Sequence, residues 1–190
     1  FARIVLAPGD ATEAYDLTIR AFNLADKYQV PVFVLTDKYL NESQWSVPAS
    51  VFRAPVTIDR GKLIRGDTGR PDGEFLRFDP TVPDGVSPRS VPGTKHGLYY
   101  ANSYEHDGKG HVIDSAAKRV VMVEKRLRKF DAIKQDILPP IYFGDQDADI
   151  TFITWGSSKG SVLTAMETLR GQGKKVGTVY MSWMFPFPDD

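Results

Sequence analysis

The sequence contains no cysteine. Disulfides, thiolate zinc sites and iron–sulfur ligation by this chain are thereby excluded, and the absence fits the cytosol without requiring it. An excess of charge is missing too, because 24 Lys and Arg balance 24 Asp and Glu. Nucleic-acid binders usually carry a basic surplus, so nucleic acid is not an expected partner. No apolar run approaches the roughly 18 residues of a membrane span, and there is no signal-peptide pattern. Histidine is scarce, with only His96, His106 and His111.

What is present is enough apolar matter for a core: 42% of the 190 residues are hydrophobic and 12% aromatic, a composition that disordered chains do not have. The apolar run Ile4-Val5-Leu6 is followed by a break at Pro8-Gly9-Asp10. Ala14, Leu17, Ala21, Leu24, Ala25 and Tyr28 then recur at helical steps. Asp10 followed by Glu13 fits a capping box. Val30 to Leu35 is continuous, apolar and rich in β-branched residues, which suits a strand buried on both faces of a parallel sheet. The unit reads β-α-β, with a right-handed crossover expected.

A second such unit begins at residue 146. Ile150 to Trp155 reads as a strand, Gly156-Ser157-Ser158-Lys159-Gly160 as a turn, and Val162, Leu163, Met166 and Leu169 as a helical stripe. Gly171 and Gly173 stop the helix, and Lys175 to Phe185 contains the next strand. The fold class expected is α/β, with β-α-β units of parallel sheet. Residues 1–136 form one domain, 137–145, with Leu138-Pro139-Pro140, a linker, and 146–190 the start of another. The chain opens at Phe1 almost inside a strand and stops just after an apolar run. Two parallel strands make a poor sheet alone, so an incomplete piece of a longer subunit is expected.

Residues 44–110 interrupt this order with prolines and glycines, Pro71 and Gly73 among them. Phe75, Phe78, Tyr99 and Tyr100 argue for an ordered excursion rather than disorder. A short strand at Val56 to Asp59 is expected to turn through Arg60-Gly61 onto Lys62 to Ile64. Asp114 or Ser115 opens a helix to about Gln135. Ala117, Val120, Val121, Leu127, Phe130 and Ile133 lie on or near its apolar face, and its charges form a solvated, dipole-matched face.

Each chemical candidate has a plain alternative. Asp37 lies just beyond the C-terminal end of a strand, where ligands of open α/β sheets collect, or it caps a turn. The 156–160 turn opens a helix where amides can hold an anion, or Ser157 or Ser158 caps it. It is neither a Walker A loop nor the dinucleotide fingerprint. His106 and His111, with Glu105, suggest a metal site or an acid–base pair, or simply structural hydrogen bonds. Arg89 and Lys95 bracket a proline-bounded loop that suits a carboxylate or phosphate clamp, or a salt bridge. No catalytic constellation emerges from the residues alone.

Longer stretches carry a resemblance. The segment GDATEAYDLTIRAFNLADKYQVPVFVLTDKYLNES, then GVSPRSVPGTKHG, NSYEHDGKGHVIDSAAKRVVMVEKRLRK, ITFITWGSSKGSVLTAM and MFPFP, resembles the alpha subunit of 2-oxoacid:ferredoxin oxidoreductases, in the family's order. The resemblance implies a thiamine-diphosphate-type fold, with the end of the pyrimidine-side domain followed by a domain like the transketolase C-terminal one. It implies oxidative decarboxylation of a 2-oxoacid to a CoA thioester in the cytoplasm, with electrons passed to ferredoxin. The family's Y-P-I-T-P and R-G-G-P-S-T-G motifs and its activating glutamate are missing here. The diphosphate site, its Mg2+ and the iron–sulfur cluster belong to the beta subunit. The fragment alone is expected to bind none of these and to be inactive. Arg89, His106 and His111 match recurring family stretches without an assigned role. The alternatives from other classes are a non-catalytic assembly module, with 44–110 serving subunit contact, and a transketolase-like subunit without ferredoxin.

Overall fold

The computed structural model describes residues 1–70 and 75–188. Pro71 and Gly73 of the long excursion, and Asp189 and Asp190, lie outside the described residues. The chain divides into a sheet unit (3–25, 30–58 and 136–190) and a loop unit (1–2, 26–29 and 59–135).

In the sheet unit, β1 (Ile4–Leu6), α1 (Ala11–Tyr28) and β2 (Val32–Val34) form the first β-α-β, with Ile4 opposite Val32 in a parallel pair. Ile4 and Leu6 are fully buried. The expectation that the second strand is covered on both faces fails, because Phe33 and Leu35 stay open to solvent. The sheet order, β2-β1-β8, explains it: β2 is an edge. The stretch from Lys175 holds two strands, β7 (Val176–Met181) and β8 (Trp183–Phe185). They part at Ser182, whose carbonyl accepts Ala7 N–H at 2.8 Å, so that β8 runs antiparallel beside β1.

The second β-α-β is β6 (Ile150–Trp155), α4 (Ser158–Gly171) and β7, parallel from Ile150–Val176 to Trp155–Met181. The stretch read as a linker carries β5 (Ile141–Gly144), antiparallel to the other side of β7. Both sheets are therefore mixed rather than purely parallel. Strand alternation turns Val176, Thr178 and Tyr180 to one face, and all three are fully buried. Met166 of α4 covers that face, with its sulfur 3.5 Å from the Thr178 hydroxyl. After β2, α2 (Lys38–Glu42) leads to a 3-10 turn at Ala49–Arg53, where Phe52 meets Tyr15 edge-on at 5.0 Å.

The loop unit is held mainly by side chains. The expected hairpin of 56–59 on 62–64 is absent. Instead β3 (Leu63–Ile64) pairs in parallel with β4 (Arg89–Ser90). Phe75, Phe78, Tyr99 and His106 form one aromatic cluster, tightest where Phe78 and His106 approach to 4.1 Å. Gly85, at φ +72°, passes so close to α3 (Ala116–Ile133) that a Cβ there would lie 2.2 Å from the Lys125 carbonyl.

The buried face of α3 differs from the sequence reading. Met122, Lys125, Lys129 and Ile133 are buried, with Lys125 4% and Lys129 7% exposed, while Val120 (55%), Val121 and Leu127 (48%) face solvent. Of the expected face only Ile133 is fully buried, and Phe130 is half-buried. Lysine stems are apolar and can line a core. The Lys129 ammonium, moreover, reaches the Gln29 carbonyl at 2.7 Å. Burial and the neighbouring charges of Arg77 and Arg126 push Lys125 down to about 8. Burial, then Lys125 and Arg77, push Lys129 down to about 7. Among the described residues no helix is long and apolar enough to cross a membrane.

Candidate functional site

The densest polar group in the sheet unit gathers where α1 and α4 begin. Asp10 is the residue before α1 and accepts the Glu13 N–H at 2.9 Å. Glu13 reaches back to the Gly9 N–H at 2.9 Å, one residue earlier than an ideal capping box. Lys159, in the first turn of α4, donates to Asp10 at 2.8 Å and to Glu13 at 2.5 Å. The buried Tyr180 of β7 donates to the other Glu13 oxygen at 2.5 Å. All four carboxylate oxygens thus have donors. The backbone at Gly9 must be bare, since a Cβ would lie 2.6 Å from both Lys159 Cδ and the Tyr180 hydroxyl.

The electrostatics follow from that saturation. Burial works to raise the Asp10 carboxyl, yet the Glu13 amide and the Lys159 ammonium hold it below the usual range. Burial opposes the charge on Lys159, yet Asp10 and Glu13 hold its affinity for the proton above the ordinary lysine value. Burial first, and then the bond to Glu13, push the Tyr180 phenol far up. With every group committed, the cluster ties three elements together rather than presenting a free acid or base. Beside it opens a cleft of about 780 Å3, walled by Tyr39 and Trp45 on one side and by Ser157, Gly160 and Ser161 at the start of α4 on the other. The two aromatics meet edge-on at 5.7 Å.

Asp37 has a capping role and is tied to Ser157, one of the residues that line this cleft. It accepts the Leu40 N–H at 3.0 Å as the N-cap of α2, and it also accepts the Ser157 hydroxyl. Ser157 and Ser158 do not cap α4 with their side chains. Ser157 is spent on Asp37, and Ser158 donates to the Trp155 carbonyl at 2.6 Å. The turn Gly156-Ser157-Ser158-Lys159-Gly160 also has the spacing of a hydrolase nucleophile elbow, G-x-S-x-G. That elbow is strained, whereas Ser158 does not have a positive φ and its hydroxyl is turned back onto the preceding strand, β6.

The other candidates lie in separate networks of the loop unit. Arg89 pairs with Asp26 at 2.8 Å, and Arg60 joins the same carboxylate. The buried Nε of Arg89 has no partner among the described residues. His106 lies 2.9 Å from the Tyr104 carbonyl and against Phe78. Its neighbour Glu105 is taken up by a two-pronged pair with Arg126 at 2.9 and 2.7 Å. His111 lies 3.8 Å from Asp107 and against the Tyr100 ring. Among the described residues no three His, Cys, Asp or Glu converge as a metal site.

The chain matches the family model described as "Pyruvate flavodoxin/ferredoxin oxidoreductase, thiamine diP-bdg" over residues 1–125, and "Pyruvate:ferredoxin oxidoreductase core domain II" over 148–190. It is 36% identical to the 2-oxoacid:ferredoxin oxidoreductase subunit alpha of Saccharolobus solfataricus, over 99% of this chain and 29% of that protein. It is 30% identical to the 2-oxoglutarate synthase subunit KorA of Methanocaldococcus jannaschii, over 98% of this chain and 48% of that one. Among solved structures it resembles the 2-oxoglutarate:ferredoxin oxidoreductase from Magnetococcus marinus with 2-oxoglutarate, coenzyme A and succinyl-CoA bound. The TM-score is 0.79 and the identity 31%, over 98% of this chain and 32% of that one. The chain spans less than half the length of these relatives, and within that span its two β-α-β units and the excursion between them belong to the thiamine-binding pyruvate flavodoxin/ferredoxin oxidoreductase family.

Proposed function

We propose that this chain is the part of a 2-oxoacid:ferredoxin oxidoreductase alpha subunit that joins the pyrimidine-side thiamine domain, residues 1–136, to the transketolase C-terminal-like domain, residues 146–190. The observation that carries the reading is the match across 98% of the chain to a structure with the same fold. The assembled enzyme converts a 2-oxoacid and CoA to an acyl-CoA and CO2 and passes two electrons to ferredoxin, in the cytoplasm. Thiamine diphosphate, when bound, supplies the electron sink for decarboxylation.

The described residues do not fit the diphosphate and Mg2+ end of that cofactor. No trio of metal-ligating side chains converges. The carboxylates of Asp10 and Glu13 are occupied by Lys159, Tyr180 and backbone amides. Nor is there a cysteine to hold a cluster. On this reading the diphosphate, metal and iron–sulfur sites belong to a beta subunit. The contribution of this chain is a braced frame, in which one saturated cluster fixes the starts of α1 and α4 beside the open cleft.

The test is a reconstitution of the alpha subunit containing this sequence with its cysteine-bearing partner. Acyl-CoA formation that requires 2-oxoacid, CoA, thiamine diphosphate and oxidised ferredoxin together is the expected result. Acyl-CoA formed by the 190-residue chain alone, or turnover indifferent to ferredoxin, would sink the proposal.

A further inference from the structure

Two lysines lie inside the loop unit, one turn apart on the buried face of α3: Lys125 and Lys129. Lysine is almost never fully buried without a partner of opposite charge. Here the surroundings are cationic instead. Arg77, Arg126 and Arg128 press on Lys125, and Lys125, Arg77 and Arg126 press on Lys129. The carboxylates that act against them, Asp79 and Asp84, are already engaged. Asp79 accepts the Thr81 amide and hydroxyl at 2.9 and 2.7 Å. Asp84 takes the Lys62 ammonium at 2.8 and 2.6 Å. The cluster is short of an anion.

Gln29 fixes its geometry. The backbone carbonyl of Gln29 accepts Lys129 Nζ at 2.7 Å, and its side-chain Oε1 accepts Arg77 Nη1 at 2.7 Å. Its Nε2 donates to the Ser87 carbonyl at 2.7 Å. Gln29 follows α1 with φ +53°, a left-handed conformation that glycine adopts without steric cost. A glycine would leave Arg77 without this acceptor, so a strained glutamine stands where it can hold both cations at one residue.

An amine desolvated beside other cations gives up its proton and becomes a nucleophile. Lys129, pushed down to about 7, carries a lone pair in a substantial share of molecules at neutral pH. The electrophile that suits this place is small, has no charge to desolvate on entry, and becomes an anion on reaction. CO2 has those properties.

We propose that Lys129 is a carbamylation site, where dissolved CO2 adds to the amine and supplies the anion that the Arg77–Lys125 cluster lacks. The Nζ lone pair forms an N–C bond to CO2, the electrons of one C=O bond move onto oxygen, and one N–H proton leaves to water. The remaining N–H still donates to the Gln29 carbonyl, and the new carboxylate accepts from Lys125 and Arg77. The inference does not rest on the oxidoreductase reading, although under that reading CO2 is the enzyme's own product.

The test incubates the purified chain with isotopically labelled bicarbonate at neutral pH, traps carbamates by alkylation with a trialkyloxonium salt, and locates them by peptide mass spectrometry. A trapped carbamate on Lys129, and on no other lysine, is the expected result. Lys129→Arg keeps the charge but has no free lone pair, and should lose the label. Lys125→Met should cut the Lys129 yield by about tenfold or more, because the carbamate loses its ammonium partner. By mass action the α3 amides of the parent should exchange more slowly in CO2-charged than in CO2-free buffer at one pH. Lys129→Arg, with its α3 amides still protected, should show no such difference. Absence of a carbamate on the folded parent, equal labelling of exposed lysines, or a label indifferent to Lys125→Met overturns the proposal.

Discussion

Replacing Lys129 by methionine should stabilise the loop unit at neutral pH and cease to do so in alkali. Lys129 is buried at 7% exposure, and among the described residues its ammonium donates to the Gln29 carbonyl. The groups electrostatically coupled to it are Lys125, Arg77 and Arg126, with Asp84 in opposition. A fall from 10.5 to about 7 corresponds to roughly 4–5 kcal/mol at about 1.4 kcal/mol per unit. The folded value is lowered, so between pH 7 and 10.5 the unfolded chain holds more protons and stability rises with pH. The full penalty is present below about pH 7 and is gone above the unfolded value. Methionine keeps the apolar stem but leaves the Gln29 carbonyl without its donor, which costs about 1–3 kcal/mol. Lys129→Met should therefore gain about 1–3 kcal/mol at pH 7 and gain nothing or lose slightly at pH 10. The assay is urea unfolding read by hydrogen exchange of α3 amides, because the tryptophans, at 45, 155 and 183, all lie outside the loop unit. A difference between variant and parent that stays constant from pH 7 to 10 would refute the reasoning.

Other outcomes follow from the sheet unit. Gly9→Ala should destabilise it by about 1–3 kcal/mol through overpacking against Lys159 and Tyr180, visible as a lower urea midpoint in the fluorescence of the buried Trp183. Lys159→Met strands two carboxylates and should cost about 3 kcal/mol near neutrality. The Asp10 value is lowered in the fold, so its contribution is complete above its ordinary 3.8 and fades as pH falls through the folded value. The gap between Lys159→Met and the parent should accordingly close in acid. Asp37→Ala should speed hydrogen exchange of the α2 amides without moving the urea midpoint, because its partners are the α2 turn and Ser157. A shifted midpoint would show that Asp37 does more than cap.

Local signals were legible where the sequence neighbours are also the spatial ones. Asp10 and Glu13 cap α1, and apolar periodicity located both β-α-β units. Long-range returns were not. Nothing in Trp183–Phe185 announces that it will run antiparallel to β1, because pairing across more than a hundred residues leaves no local period. The hairpin expected at Asp59-Arg60-Gly61 gave way to β3 on β4 for the same reason. The α3 assignment failed differently. Counting apolar side chains put Val120 and Leu127 inside, but the stems of Lys125 and Lys129 can be buried when their amines find carbonyls or lose their protons. The Lys159 cluster was hidden because its members lie far apart in sequence, at 10, 13, 159 and 180. Its local traces were the Asp10–Glu13 cap, which says nothing of Lys159 or Tyr180, and the bare backbone at Gly9, which reads equally well as a turn.

The most direct test of the family reading is the visible spectrum of the alpha subunit purified without air together with its partner. The account predicts a brown complex whose iron–sulfur absorbance bleaches when 2-oxoacid and CoA are added. A colourless complex that binds thiamine diphosphate, or a coloured one that bleaches with dithionite but not with any 2-oxoacid, would contradict it.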